Sequence, residues 1–360
     1  MTDSMTDIQT KMEMLEAIED RRNKRRGFLR FAGGSALAIG GASLLAACGD
    51  DDDSPTPTPS PAPTPTPTAV TDADIFNFAL NLEYLEAQFY SYAAFGVGLN
   101  SSLLGGTGTQ GTVITGSGAG MARQVAFTDP VVQQYAREIA IDEVAHVAFL
   151  RQTLGSAAIA QPLLNISGSA TVNISSTVTG VGAFTAAARA AGVVPATGIF
   201  DPYASDENFL LGAYIFEDVG VSAYKGASPL ISSKVYLEAA AGILAVEGYH
   251  AGLIRTVLYR KGIGTPTPAL ISGANAISDA RDSLDGTANA TGVIGDDDQG
   301  ITGSDASVSN IVPTDANGIA FSRSTGQVLN IVFLNKAAVA DGGFFPGGVN
   351  GPLRVSAANA

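Results

Sequence analysis

The chain has only two histidines, His146 and His250, and each stands three residues after a glutamate, in Glu143-Val144-Ala145-His146 and Glu247-Gly248-Tyr249-His250. On a helix, side chains three apart leave the same face one turn apart. A carboxylate and an imidazole so placed form a ligand pair for a metal ion, and two such pairs make half of a dinuclear site. A lone Glu-x-x-His is more often a surface pair or a satisfied core group. What decides is whether the surrounding elements bring further ligands to the same place.

Four amphipathic helices are expected to carry these residues. The first spans 71–95 and opens at Thr71-Asp72-Ala73-Asp74, a good start signal. Ile75, Phe78, Ala79, Leu82, Glu86 and Phe89 share one face, with Asn77, Asn81, Tyr84 and Gln88 opposite and Glu83 on the flank. Carboxylates on an apolar arc are costly unless paired or bound to metal. The second helix opens at Thr128-Asp129-Pro130 and runs to Leu154, with Asp142, Glu143 and His146 in the middle of its apolar stripe. A third starts at Ser205-Asp206 and centres Glu217 on its apolar face. A fourth runs from about Ser233 to Lys261, ending at Gly262, with Glu247 and His250 facing inward. Between them, 96–127 and 155–205 are Gly-, Ser- and Thr-rich loops, with a short strand or hairpin at 170–181 and a short helix near 183–192. Tyr90 follows Glu83 by seven residues, as Tyr224 follows Glu217.

The order Glu83, Glu143-x-x-His146, Glu217, Glu247-x-x-His250 matches the ligand set of ferritin-like di-iron and di-manganese bundles. Residues 71–262 therefore resemble a ferritin-like four-helix bundle, an all-α fold. The segments Leu82–Tyr90, Glu217–Tyr224 and Asp341–Pro346 are similar to exported bacterial ferritin-like proteins and plant desiccation-related proteins. The resemblance implies two metal ions, with Glu143 and Glu247 bridging or chelating, Glu83 and Glu217 terminal, and His146 and His250 each holding one ion. Four carboxylates with two imidazoles suit iron or manganese. Glu86 rivals Glu83; Glu83 is preferred because its seven-residue spacing to a tyrosine recurs at Glu217. Asp142 is placed to accept a histidine ring N–H across the bundle. Tyr90 and Tyr224 are read as packing, as carboxylate partners or as an electron relay. The implied activity is redox chemistry with dioxygen or hydrogen peroxide, of ferroxidase, peroxidase or catalase type. The alternative is a non-catalytic, stress-protective envelope protein.

The N-terminal stretch reads as an address. Arg25-Arg26-Gly27-Phe28-Leu29 precedes an apolar run from Phe31 to Ala47 that ends Leu45-Ala46-Ala47-Cys48. The twin arginines resemble a twin-arginine (Tat) signal, which implies the Tat translocon as a partner. Leu-Ala-Ala-Cys resembles a lipobox, which places a lipid on Cys48 and anchors an exported protein to a membrane of the cell envelope or periplasm. Residues 48–70, with Asp50–Asp53 followed by alternating Thr-Pro, read as an extended linker.

Residues 263–360 read as an irregular extension that carries one further helix, at 324–336, packed on the bundle. Asp296-Asp297-Asp298 reads as a solvated loop rather than a calcium site. Phe344-Phe345-Pro346-Gly347-Gly348 needs an apolar groove, either in the same chain or in a second copy, which would make a homodimer. The net charge of −14 argues against nucleic acid, because no basic surface is available to displace phosphate counterions. Cys48 is the single cysteine, which excludes a disulfide framework and a cysteine-ligated cluster.

Overall fold

A computed structural model describes residues 69–264, 268–286, 298–303 and 307–359. The signal, lipidation and linker readings, with Arg25, Arg26, Cys48 and residues 48–68, lie outside the described residues. No helix among the described residues is long and apolar enough to cross a membrane.

From Thr71 onward the chain forms one compact unit. Its helices are α1 (Asp72–Phe95), α2 (Pro130–Leu154), α3 (Ala183–Ala190), α4 (Asp206–Ala227), α5 (Lys234–Gly264), α6 (Pro268–Asp285) and α7 (Thr325–Phe333). The N-caps are those the sequence proposes. Thr71 and Asp74 form a capping box, Asp129 caps α2 ahead of Pro130, and Ser205 caps α4.

End-to-end contacts fix the bundle's topology. The start of α1 meets the end of α2 through Asn77 Nδ2 donating to the Ala157 carbonyl, while the Val125 amide before α2 donates to Ala93 at the end of α1. Lys261 at the end of α5 pairs with Glu207 at the start of α4. The Thr128 amide before α2 donates to Asp206 at the start of α4, and the Ser232 amide before α5 donates to Asp72 at the start of α1. Two antiparallel hairpins, α1–α2 and α4–α5, are therefore joined by a long crossover in an up-down-down-up bundle. Among the described residues the crossover holds α3 and one hairpin, and it pairs a further strand with the loop between α1 and α2. Val113–Ile114 pairs in parallel with Leu164–Asn165, and Val172–Asn173 forms an antiparallel hairpin with Thr179–Gly180.

The structure departs from the sequence reading in five places. The polar side of α1 is buried, not solvated. Asn77, Asn81, Tyr84 and Gln88 each bond to the loops that wrap it, at Ile159, Asn350, Leu103 and Gln161. Gly262 does not end the fourth helix, which continues to Gly264. A Cβ at Gly262 would meet Ile271 of α6 at 2.5 Å, so the glycine serves close helix packing. Among the described residues the extension holds two helices, α6 and α7, where the sequence suggests one. Asp298 is buried between Arg281 and Arg323 rather than solvated, and Asp296 and Asp297 lie outside the described residues. α7 is shorter than the 324–336 expected, because Leu334 leaves it in the left-handed region at φ 54°. The groove for Phe344 and Phe345 lies in the same chain: both rings are fully buried, Phe344 against Phe184 and Phe216.

Candidate metal centre

All six residues of the Glu/Glu-x-x-His pattern come together midway along the bundle. Glu83, Glu143, His146 and Glu247 each offer an atom within 4.8 Å of the others, and so do Glu217, Glu247 and His250. Both imidazoles turn Nδ1 toward the carboxylates. His146 Nδ1 lies 3.1 Å from Glu83, 3.5 Å from Glu143 and 3.7 Å from Glu247. His250 Nδ1 lies 3.1 Å from Glu143 and 3.6 Å from Glu217, and the two rings stand 6.2 Å apart. On the outer side, His250 Nε2 faces Asp142 Oδ2 at 3.6 Å, across the bundle as the sequence suggests.

The two tyrosines work crosswise. Tyr90 of α1 donates its hydroxyl to Glu217 of α4, and Tyr224 of α4 donates to Glu83 of α1. Each therefore serves the opposite hairpin's glutamate, which same-helix spacing does not reveal. Glu86 is buried but stands outside both groups of clustered donors. Aligning the two hairpins makes a further residue legible. Glu83-x-x-Glu86-x-x-x-Tyr90 corresponds to Glu217-x-x-Gly220-x-x-x-Tyr224, and Gly220 sits where α1 has Glu86. A Cβ at Gly220 would stand 2.2 Å from Glu247 Oε2. The glycine makes room for the Glu247 carboxylate.

The model of the ferritin-like domain family matches residues 71–260. The chain belongs to the ferritin-like family. It is 29% identical over 263 residues to the desiccation-related protein PCC13-62 of Craterostigma plantagineum, covering 72% of this chain and 76% of that one. It is 27% identical over 292 residues to the ferritin-like catalase Nec2 of Nesocodon mauritianus, covering 78% of this chain and 84% of that one. No solved structure matches it.

This ferritin-like bundle buries more carboxyl groups than its two imidazoles can balance. Glu83, Glu86, Glu143, Glu217 and Glu247 are all buried, against two imidazoles. Burial pushes Glu83 up to about 7, reinforced by Glu143 and partly offset by His146. Burial followed by carboxylate repulsion pushes Glu86 and Glu247 well above the usual range. Burial also raises Glu217 despite His250. Burial works to raise Glu143 too, but the two imidazoles beside it prevail and hold it low. His146 is lowered by burial and raised more by Glu83 and Glu143, to about 10.

Hydrogen bonding is as incomplete as charge balance. Both oxygens of Glu143, both of Glu247, Glu217 Oε2 and both ring nitrogens of His250 are buried without a hydrogen-bond partner. Such groups cost about 1–3 kcal/mol each, and more when charged. Cations held here would satisfy the carboxylate oxygens and His250 Nδ1, while His250 Nε2 faces Asp142, and the donor set of carboxylates and imidazoles is one that hard and borderline divalent metals accept. The residues present fit a metal centre.

Proposed function

We propose that the cluster would hold two iron or manganese ions, with Glu83, Glu143, His146, Glu217, Glu247 and His250 as the residues that would hold them. The observation that carries this reading is the pair Glu143 and Glu247, whose four buried, unbonded oxygens lie among two imidazoles. When bound, such ions would supply redox chemistry toward dioxygen or peroxide. The chain's own part is positional. Tyr90 and Tyr224 hold Glu217 and Glu83 in place, Asp142 orients His250, and the buried helix faces keep bulk water out. The likeness to a protein named a ferritin-like catalase favours hydrogen peroxide as the reactant, with dioxygen as its rival. The likeness to a protein named desiccation-related leaves stress protection without turnover as the second reading.

Metal analysis of protein purified from its native route, followed by peroxide turnover, separates these readings. We expect about two equivalents of iron or manganese per chain. The double variant His146→Ala, His250→Ala should retain almost none. Full metal in that variant would place the site elsewhere. Full metal without peroxide turnover in the wild type would favour protection.

We also propose that the protein is exported folded through the Tat translocon and anchored by lipid on Cys48, so that metal is loaded before export. The support is the Arg25-Arg26 pair, the apolar run and Leu45–Cys48. Replacing both arginines with lysine should leave the protein inside the cell. Continued export of that variant, read by cell fractionation, would sink the proposal.

A further inference from the structure

A cavity of about 20 Å³ touches the metal centre. Glu83, Glu86 and Tyr224 form its polar end, and Leu82, Phe216 and Val332 are among its apolar walls. A water molecule needs roughly 10–15 Å³ of such space. The cavity therefore admits a molecule somewhat larger than water and no branched carbon skeleton. Its polar end is unusual. Glu86 is only 6% exposed, makes no hydrogen bond among the described residues and lines the cavity. It offers a carboxyl group to whatever enters.

Val332 comes from α7, beyond the 71–260 span that matches the family. The extension is thus part of the site and not an appendage. α7 is held firmly. Ser324 and Gln327 form a capping box at its start, and the Phe344 amide donates to the Val332 carbonyl at 2.9 Å. The Phe344 ring also packs 4.9 Å from Phe216, another of the cavity's lining residues. Two walls of the cavity are therefore pinned by one loop.

We propose that this cavity seats the small reactant of the metal centre and that Val332 sets its size limit. Hydrogen peroxide and dioxygen pass; alkyl hydroperoxides do not. This rests on the metal-centre reading above. The test uses full-length protein loaded with metal, reduced, and mixed in stopped flow with hydrogen peroxide or with tert-butyl hydroperoxide. Oxidation of the bound metal is followed by absorbance and metal content is measured alongside. Val332→Ala should keep its metal and narrow the ratio between the two peroxides by about tenfold or more. Crystals of the metal-free proteins under xenon should hold the gas beside Glu86 in Val332→Ala and not in the wild type. An unchanged ratio in loaded Val332→Ala, or xenon bound equally in both proteins or in neither, overturns the size limit and leaves the metal centre standing. A wild type that takes up no metal overturns the metal reading and this inference with it. If Val332→Ala does not fold, Val332→Ile serves in reverse. It should slow hydrogen peroxide at unchanged metal content, and an unaltered rate overturns the proposal.

Discussion

Stripped of metal, the protein is expected to lose stability as the pH rises from about 5 to about 8, and metal is expected to reverse the sign of that dependence. The site's own groups set the direction. Burial holds Glu83 at about 7 in the folded chain, against 4.5 for the free residue. The folded state therefore keeps a proton that the unfolded state has lost. That stability is fully present below pH 4.5 and disappears as the pH rises through 7. Glu86 and Glu247 are raised further, mainly by burial, and extend the loss to higher pH. His146 adds the same sign: raised from 6.5 to about 10, it contributes stability below 6.5 that fades toward 10. Glu143 opposes this trend, because it is held low, but its effect lies below 4.5. The melting temperature of metal-free protein should fall by on the order of 10 °C across this range. Metal binds the deprotonated ligands, so the loaded protein gains as protons leave. At a metal concentration about a thousandfold above Kd the gain is about 4 kcal/mol. The gap between loaded and metal-free melting curves should widen with pH. A metal-free protein that becomes more stable between pH 5 and pH 8 would show that the buried carboxylates do not share a site as described.

The six clustered residues were legible because their types are rare on apolar helix faces. Two histidines, both three residues after glutamate, leave few other arrangements once the helical period is applied. The helix starts were legible for the same local reason, since Thr71, Asp129 and Ser205 cap the helices they precede. What periodicity could not supply was the far partner. The crosswise tyrosine bonds depend on the distance between helices. The burial of Asn77, Asn81, Tyr84 and Gln88 depends on loops folding over α1, and a moment along one helix cannot report that. Helix α6 escaped for a related reason. Its buried face combines Leu270, Ala274 and Ile277 with Ser278, Arg281 and Asp285, so its inward stripe reads as polar loop until the opposing charges are known. Pro268 followed by Leu270, Ala274 and Ile277 was the available signal.

Those opposing charges lead to the second large effect. Arg281→Ala should destabilise the protein by about 3–5 kcal/mol, because it leaves three buried carboxylates with two cations to balance them. Arg281 donates to both oxygens of Asp298 at 2.7 and 2.8 Å and to Asp218 at 2.8 Å. Arg255 donates to the same Asp218 oxygen at 2.7 Å, while Arg323 joins Asp298 to Asp285 and to Ser222 of α4. Three arginines and three aspartates balance, and all six are buried. Burial works to raise Asp298, and the paired guanidiniums outweigh it and hold Asp298 low. Removing one cation spoils that balance where water cannot restore it. Arg123→Ala is the control. Its pair with Asp201 is equally short at 2.8 Å, but the Arg123 side chain is 38% exposed. That substitution should cost less than about 1 kcal/mol. Denaturant midpoints of the two variants measure the difference, and equal shifts would show that burial of the network adds nothing. The network also bears on the metal centre. Arg281 bonds the Tyr214 carbonyl and the Asp218 carboxylate, which flank Glu217 on α4. Arg281→Ala should therefore weaken metal uptake as well, whereas Arg123→Ala should leave it unchanged.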